Sequence, residues 1–185
     1  MEGRVQLTGA WFAQRFRNLI QYAGAEPGQP TYGNISAATS AGGEIGARAL
    51  ATPRLDLGLQ ASYTRTRVTE AGAGSSPAWL LGEALLRRPE LTGSAMVRWH
   101  FSPGASGRLD VHHLGGRDDV DFREFPSTRV RLPARTLTDL AVTARLTRGV
   151  TIAGRVENLF GQSWQQVVGF PARGRTLAVS LSARR

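Results

Sequence analysis

Apolar and polar residues alternate with period two along most of the chain, which places one residue class on each face of a sheet. Between residues 137 and 146, Leu140, Val142, Ala144 and Leu146 share one face, and Asp139, Ala141, Thr143 and Arg145 share the other. From 176 to 183, Leu177, Val179, Leu181 and Ala183 separate in the same way from Thr176, Ala178, Ser180 and Ser182. Repeating this reading predicts eight strands, over 5–22, 34–51, 55–68, 91–102, 107–117, 135–147, 150–160 and 174–184. Several exceed the usual strand length of about 5–6 residues.

The connections alternate between short and long. Thr52-Pro53-Arg54, the stretch Pro103 to Ser106, and Arg148-Gly149 are short; Ala23 to Gly33, Thr69 to Glu90, Asp118 to Ala134 and Gly161 to Arg173 are long and rich in Gly, Pro, Ser and charge. Outer-membrane barrels have this rhythm, with short periplasmic turns and long extracellular loops. In a bilayer the oily face points outward and the wet face inward. Trp11, Tyr63, Trp99, Phe101 and Phe160 stand where strands near their ends, as an aromatic girdle requires. Alternation by itself is equally compatible with a soluble sandwich or barrel whose oily face is its core.

Composition narrows the classes. The 185 residues fit one ordinary domain or a piece of something larger. Mean hydropathy is −0.22, and no window of 18 apolar residues exists, so no membrane helix is expected. The 23 basic residues are all Arg against 14 acidic ones, a net charge of +9 suited to anionic partners. The absence of Cys excludes disulfides and thiolate chemistry. No G-x-S-x-G, H-E-x-x-H or P-loop pattern occurs, so nothing supports an enzyme.

The candidate chemistry is thin. Asp118, Asp119, Asp121 and Glu124 gather on a predicted extracellular loop, where alternate oxygen ligands suit calcium, but the spacing is not that of an EF-hand and a solvated loop is the plainer reading. His112 and His113 are adjacent and face opposite sides of a strand, which disfavours zinc. Neither a metal nor another cofactor is expected. Arg48, Arg98, Arg145 and Arg155, with Glu44, Asp56, Asp139 and Glu157, are expected on the inward face, paired across neighbouring strands. Arg87, Arg88, Arg123, Arg129, Arg131 and Arg173 fall in or beside long loops, where lipopolysaccharide phosphates or an anionic ligand would meet them.

Three stretches carry a family resemblance. Arg155-Val156-Glu157-Asn158-Leu159-Phe160-Gly161, followed by Val168-Gly169-Phe170-Pro171-Ala172-Arg173-Gly174-Arg175-Thr176, resembles the last hairpin of TonB-dependent outer-membrane receptors. Asn34, Ala38, Ser40, Gly42 and Glu44 fit the N-x-x-x-A-x-S-x-G-x-E stretch of these receptors, preceded by Leu19-Ile20-Gln21-Tyr22. Leu86-Arg87-Arg88-Pro89 and Gly116 to Phe122 are most similar to the cobalamin receptor branch. Departures are Gly161 where Asp is common, Leu91 where His is expected, Ala172 where Pro is frequent, and an ending Ser182-Ala183-Arg184-Arg185 without the terminal aromatic residue that the barrel assembly machinery reads.

The resemblance implies an all-β fold: an antiparallel transmembrane β-barrel wall of about eight strands, the last eight of a 22-stranded barrel. Residues 1–185 are then expected to be the C-terminal barrel part of a receptor for a scarce metal chelate such as cobalamin or a siderophore, in the cell outer membrane, without signal peptide, TonB box or plug domain. Implied partners are outer-membrane lipid and lipopolysaccharide, the remaining barrel and plug, TonB through those other parts, and the barrel assembly machinery. Alone, such a wall is expected to be incompetent for transport. Two rivals are a self-contained eight-stranded barrel and a basic soluble β domain binding nucleic acid.

Overall fold

The computed structural model describes residues 4–22, 24, 31–72, 76–123 and 125–183. Among them the fold is all β. Eight strands form one antiparallel sheet: β1 (Val5–Tyr22), β2 (Tyr32–Thr52), β3 (Leu55–Glu70), β4 (Leu91–Ser102), β5 (Ala105–Leu114), β8 (Arg135–Arg145), β9 (Val150–Glu157) and β12 (Thr176–Ala183), in the order β1-β2-β3-β4-β5-β8-β9-β12. Two small hairpins branch off: β6 (Arg117–Asp121) with β7 (Thr128–Leu132), and β10 (Gln165–Val167) with β11 (Phe170–Pro171). Much of the connection from Ala23 to Gly33, with Glu124 and the last two arginines, lies outside the described residues.

The sheet is open. β1 pairs only with β2 and β12 only with β9 among the described residues, so the self-contained eight-stranded barrel is not the structure adopted. The short connections all lie at one end of the sheet. Thr52, Ser102 and Thr147 each place a hydroxyl oxygen to accept the backbone N–H two residues on, at 3.2 to 3.4 Å, from Arg54, Gly104 and Gly149. This side-chain turn closes each hairpin locally.

Two predicted strands run three residues too far, and the one over 135–147 runs two past Arg145. The strand over 107–117 stops at Leu114. Gly115 donates to the Leu91 carbonyl at 2.7 Å, and a Cβ there would sit 2.8 Å from that oxygen, so only glycine lets the chain leave the wall for β6. The strand over 150–160 stops at Glu157, because Asn158 takes φ 51°, a left-handed conformation that breaks the pleat.

Register fixes the two faces. Rows across the first three strands read Leu7–Ala47–Leu59, Gly9–Ile45–Ala61 and Trp11–Gly43–Tyr63 on one side, and Gln6–Arg48–Gly58, Thr8–Gly46–Gln60 and Ala10–Glu44–Ser62 on the other. The first set is apolar and exposed, with Leu7 74% and Trp11 78% accessible. A sheet with its oily face to the surroundings and polar residues on the reverse is the outer-membrane barrel pattern, and the opposite of a soluble domain's. The aromatic rows bracket the band. Trp99, 5.2 Å from Phe101, pairs with Leu55, and Tyr63 lies eight residues along β3. At about 3.3 Å per residue these rows are about 26 Å apart along the strand.

Among the described residues, packed core lies at the end opposite the short turns. There Ile35, Ala38, Val68, Ala78, Trp79, Leu86 and Val120 are buried together, with Leu19, Leu85 and Phe122 against them. Segments 76–90 and 115–132 thus cover the inward side of the upper ends of β1–β3.

Candidate functional site: the inward wall and its cap of loops

The inward face carries charge in pairs between neighbouring strands. Asp56 on β3 accepts from Arg48 of β2 at 3.0 Å and lies 4.0 Å from Arg98 of β4. Arg108 grips Asp110 of its own strand β5 through two bonds of 2.7 Å. Arg155 of β9 reaches Asp139 of β8 at 3.2 Å and Glu157 at 3.3 Å. Asp110 and Asp139 stand opposite each other, so the two arginines flank what would otherwise be a repelling pair. The expected cross-strand pairing is present for Arg48 and Arg98 with Asp56 and for Arg155 with Asp139, whereas Glu157 pairs within its own strand, Glu44 accepts from Ser62 and Arg145 has no ion pair among the described residues. Beside it, the concave side of β1–β4 holds an open trough of about 500 Å³, bordered by Thr8, Glu44, Gly46, Gln60, Ser62 and Ser94.

The loops at the far end form a tied cap. Asp119, 0% exposed, accepts from Arg87 Nε at 2.8 Å, from its neighbour Val120 N at 2.9 Å and from Val168 N at 3.0 Å. One carboxylate so joins three separate connections. Arg129 of β7 donates to Asp118 at 2.9 Å and to the carbonyl of Ala84 at 2.6 Å, and Arg131 adds a second contact to Asp118 at 3.0 Å. Arg117, 3% exposed, donates to the carbonyls of Gln165 and Gln166. Burial lowers its pKa from the ordinary guanidinium value, the cost of holding β10 with a nearly dry cation. At the exposed tip, Arg123 binds Asp121 at 2.6 Å and holds that carboxyl down to about 2.

These contacts revise the reading of the acidic loop. Asp118, Asp119 and Asp121 each take arginine partners instead of converging as ligands, and no group of three metal-ligating side chains occurs among the described residues. The same contacts occupy Arg87, Arg123, Arg129 and Arg131, which the sequence had offered to lipopolysaccharide or an anionic ligand. His113 Nδ1 lies 3.0 Å from the Thr136 hydroxyl, while the neighbouring His112 pairs across to Ser94 on the inward face.

The architecture of an open antiparallel wall, oily outside, charged within and capped by loops at one end, is matched by known proteins. The model of the TonB dependent receptor-like β-barrel family matches residues 1–159. The chain belongs to this family. Solved receptors share its fold. The siderophore receptor PiuA from Acinetobacter baumannii superposes with a TM-score of 0.78 at 15% identity, over 99% of this chain and 26% of that one. The ferripyoverdine receptor of the outer membrane of Pseudomonas aeruginosa gives 0.74 at 16% identity, over 99% and 25%. The ferric yersiniabactin uptake receptor FyuA from Yersinia pestis gives 0.75 at 16%, over 99% and 28%. The chain spans about a quarter of the length of these receptors.

The residues that carry the TonB-dependent receptor resemblance occupy structural positions. Ala38 and Ser40 are buried near the cap, Glu44 accepts from Ser62 at 3.5 Å, and Asn34 lies at the upper end of β2, two residues past its start at Tyr32. Gly42 packs against the Tyr63 carbonyl and the Phe12 ring, a close approach rather than a bulge. Arg88 and Pro89 lead into β4. Asn158, 5% exposed, exchanges two bonds of 2.9 Å with the backbone of Gln162 while its own N–H donates to Asp139 at 2.9 Å. Leu159 N donates to the Thr138 carbonyl at 2.7 Å, and Phe160 is 69% exposed beyond it. Gly169, at φ 81°, turns the chain into Phe170 and Pro171, and Gly174 and Arg175 lead into β12. Sequence reasoning did not single out Arg15, Arg17, Arg65 and Arg67, four exposed arginines on the upper strands. The available signal was their place in the alternation, at positions that lower down are Leu and Trp.

Proposed function

We propose that this chain is the wall and surface loops of a TonB-dependent outer-membrane receptor that takes up a scarce metal chelate, cobalamin or a siderophore. The observation that carries the reading is the two-faced sheet with its arginine-tied cap: a lipid-facing band, a charged inward wall, and ordered loops at one end only. Loops in that position capture ligand outside, and the wall houses a plug that rearranges when TonB pulls from the periplasm. The free margins of β1 and β12 take the remaining strands of a larger barrel, supplied with the plug by other parts of the receptor. With those margins unpaired, the stretch by itself does not transport. The motif around Arg88, Pro89 and Asp118 supports cobalamin, and the fold shared with the siderophore receptors supports a ferric siderophore.

The test is in cells. An antibody to residues 167–175 should detect the protein in the outer-membrane fraction, and deleting its gene should abolish TonB-dependent uptake of either labelled cobalamin or a labelled ferric siderophore. A protein confined to the soluble fraction, or uptake of both ligands unchanged by the deletion, would refute the reading.

A further inference from the structure

We propose that Arg117 and Arg135, side by side where the cap meets the wall, form an internal site for a doubly charged tetrahedral oxyanion, sulfate or phosphate, covered by Trp164 and coupled to closure of the last loop. The site takes a ligand separate from the cargo, and its test does not depend on uptake.

Topology brings the two guanidinium groups together. Arg117 opens β6 as the chain leaves β5, and Arg135 opens β8 as it returns. Both reach Gln166. Arg117 Nη2 donates to its backbone carbonyl at 2.7 Å and to that of Gln165 at 3.0 Å, and Arg135 Nη2 donates to its side-chain oxygen at 3.4 Å. Arg135 lies in the row Ser62–Thr92–Leu114–Arg135, on the inward face and away from the lipid-facing side.

Donors are left over at this place. Arg117 is 3% exposed, yet its Nη1 finds no acceptor among the described residues. Nor do Nε and Nη1 of Arg135 or Nε1 of Trp164, and all four atoms are shielded from solvent. Buried N–H groups in folded proteins are paired almost without exception, and a guanidinium offers donors only. An anion supplies the acceptors.

Charge selects the kind of anion. Arg117 and Arg135 repel each other, Arg87 adds to the repulsion at Arg117, and Asp119 attracts it. Both Asp119 oxygens already accept, Oδ1 from Arg87 and Val120 and Oδ2 from Val168. Three guanidinium groups against one carboxylate leave two positive charges. One sulfate or doubly ionised phosphate neutralises them, and a chloride or a single carboxylate does not. Oxygens at the corners of a tetrahedron also suit donors that point in several directions.

Trp164 closes the site. Its ring centre lies 3.2 Å from Arg135 Cζ, a cation held against the aromatic face. The next four residues are tied to Arg117 through Gln165 and Gln166 and to Asp119 through Val168. An anion therefore enters when this stretch lifts, and once inside it holds both arginines and the β10–β11 hairpin to the wall.

The test uses the protein purified in detergent at the length the cell makes it. Sodium chloride holds ionic strength constant while sulfate, phosphate or acetate is added at millimolar levels. Amide exchange is followed by mass spectrometry, with heat-modifiable gel mobility as the check on folding. At about ten times its dissociation constant, sulfate or phosphate should slow exchange in residues 162–172 about tenfold and leave β1 and β2 unchanged. Arg135→Gln should lose the response. Trp164→Phe, which keeps a ring over Arg135 and lacks the N–H, should weaken it. Arg173→Gln, which removes equal charge from the exposed end of the same connection, should keep it. No protection of the unsubstituted protein by either oxyanion overturns the proposal, whatever the variants do. Protection that R135Q retains, or that spreads evenly over the wall, overturns it as well, since exclusion of the salt from the protein surface explains both. Equal protection by acetate overturns the doubly charged oxyanion as occupant; of sulfate and phosphate, the one that acts at lower concentration is the occupant. Unaltered uptake in the deletion strain refutes the receptor reading and leaves this inference standing.

Discussion

Below the row of Trp11, Gly43 and Tyr63, strands β1–β3 show Val5, Leu7, Ile45, Leu57 and Leu59 outward and Gln6, Thr8, Glu44, Arg48 and Gln60 inward. Above it the same strands, in unbroken register over most of their length, show Arg15, Arg65 and Arg67 outward, while the inward row Phe16–Ala38–Val68 brings Ala38 and Val68 into the cap's buried core. The backbone is alike in the two regions and the polarity is reversed. The lower wall is patterned for lipid on its convex side, so apolar groups go out; the upper extension is patterned for water, so they go in and need a cover. The lengths agree. A tilted strand crosses the hydrocarbon in about 9–11 residues, and β9 and β12 have 8 residues each where β1 and β2 have 18 and 21. The excess is the part with reversed polarity, against which segments 76–90 and 115–132 pack.

Substitutions at the two levels should fail in different ways. Asp119→Ala removes the buried carboxylate and strands the N–H groups of Val120 and Val168. With Arg87 half exposed, the loss is expected to be about 4 kcal/mol within the cap. Proteolysis and amide exchange should accelerate in residues 76–90 and 162–172, while the wall keeps its heat-modifiable gel mobility. Loss of the wall along with the cap would show that the two regions are one cooperative unit. Leu59→Arg tests the other level. Leu59 is four residues from both Leu55 and Tyr63, at the middle of the apolar band. An arginine there is expected to cost about 3 kcal/mol and to reduce the amount of protein recovered in the outer membrane. The same exchange reversed above the band, Arg67→Leu, should leave that amount unchanged.

The wall was legible in the sequence because two different surroundings impose a period of two on every strand that separates them. The spans 5–22 and 91–102 agree with β1 and β4 to the residue. The hairpins in the loops were not legible. β6 reads Arg117-Asp118-Asp119-Val120-Asp121, with no oily face to betray it, and it is held by rungs such as Asp118 opposite Arg131 and Val120 opposite Arg129. The cap's logic was hidden for a related reason. Asp119 finds Arg87 32 positions before it and Val168 49 after it, and no local pattern announces such partners. The acidic residues therefore looked like candidate ligands, and the arginines like free surface charge, until the fold paired them.

At the upper end of β9 the wall gives way to loop through Asn158, and two substitutions separate its two roles. Asn158→Ala loses the amide's bonds to Gln162 and forces a Cβ-bearing residue without them into φ 51°, for an expected loss of about 2 kcal/mol. Asn158→Gly loses the bonds and relieves the conformation, so it should cost about half as much. Equal losses measured by denaturant unfolding in detergent would mean that the conformation contributes nothing.

The smallest effect lies at the cap's exposed tip. Hydrogen bonds from the Arg123 side chain and backbone hold the Asp121 carboxyl at about 2, below its ordinary value of 3.8. A depressed carboxyl favours the folded state when ionised, so its contribution is complete above about pH 4 and is lost as pH falls through about 2. The Asp121 carboxyl carbon, followed by NMR, should titrate near pH 2, and Arg123→Gln should move it most of the way back. Since Arg123 is exposed and Asp121, half-buried, is bonded within the tip alone among the described residues, the shift should change the order of the tip only. If acidification from pH 4 to pH 2 loosened the lower wall in step with Asp121, the tip and the membrane band would be coupled, and the two regions could no longer be treated as answering to separate solvents.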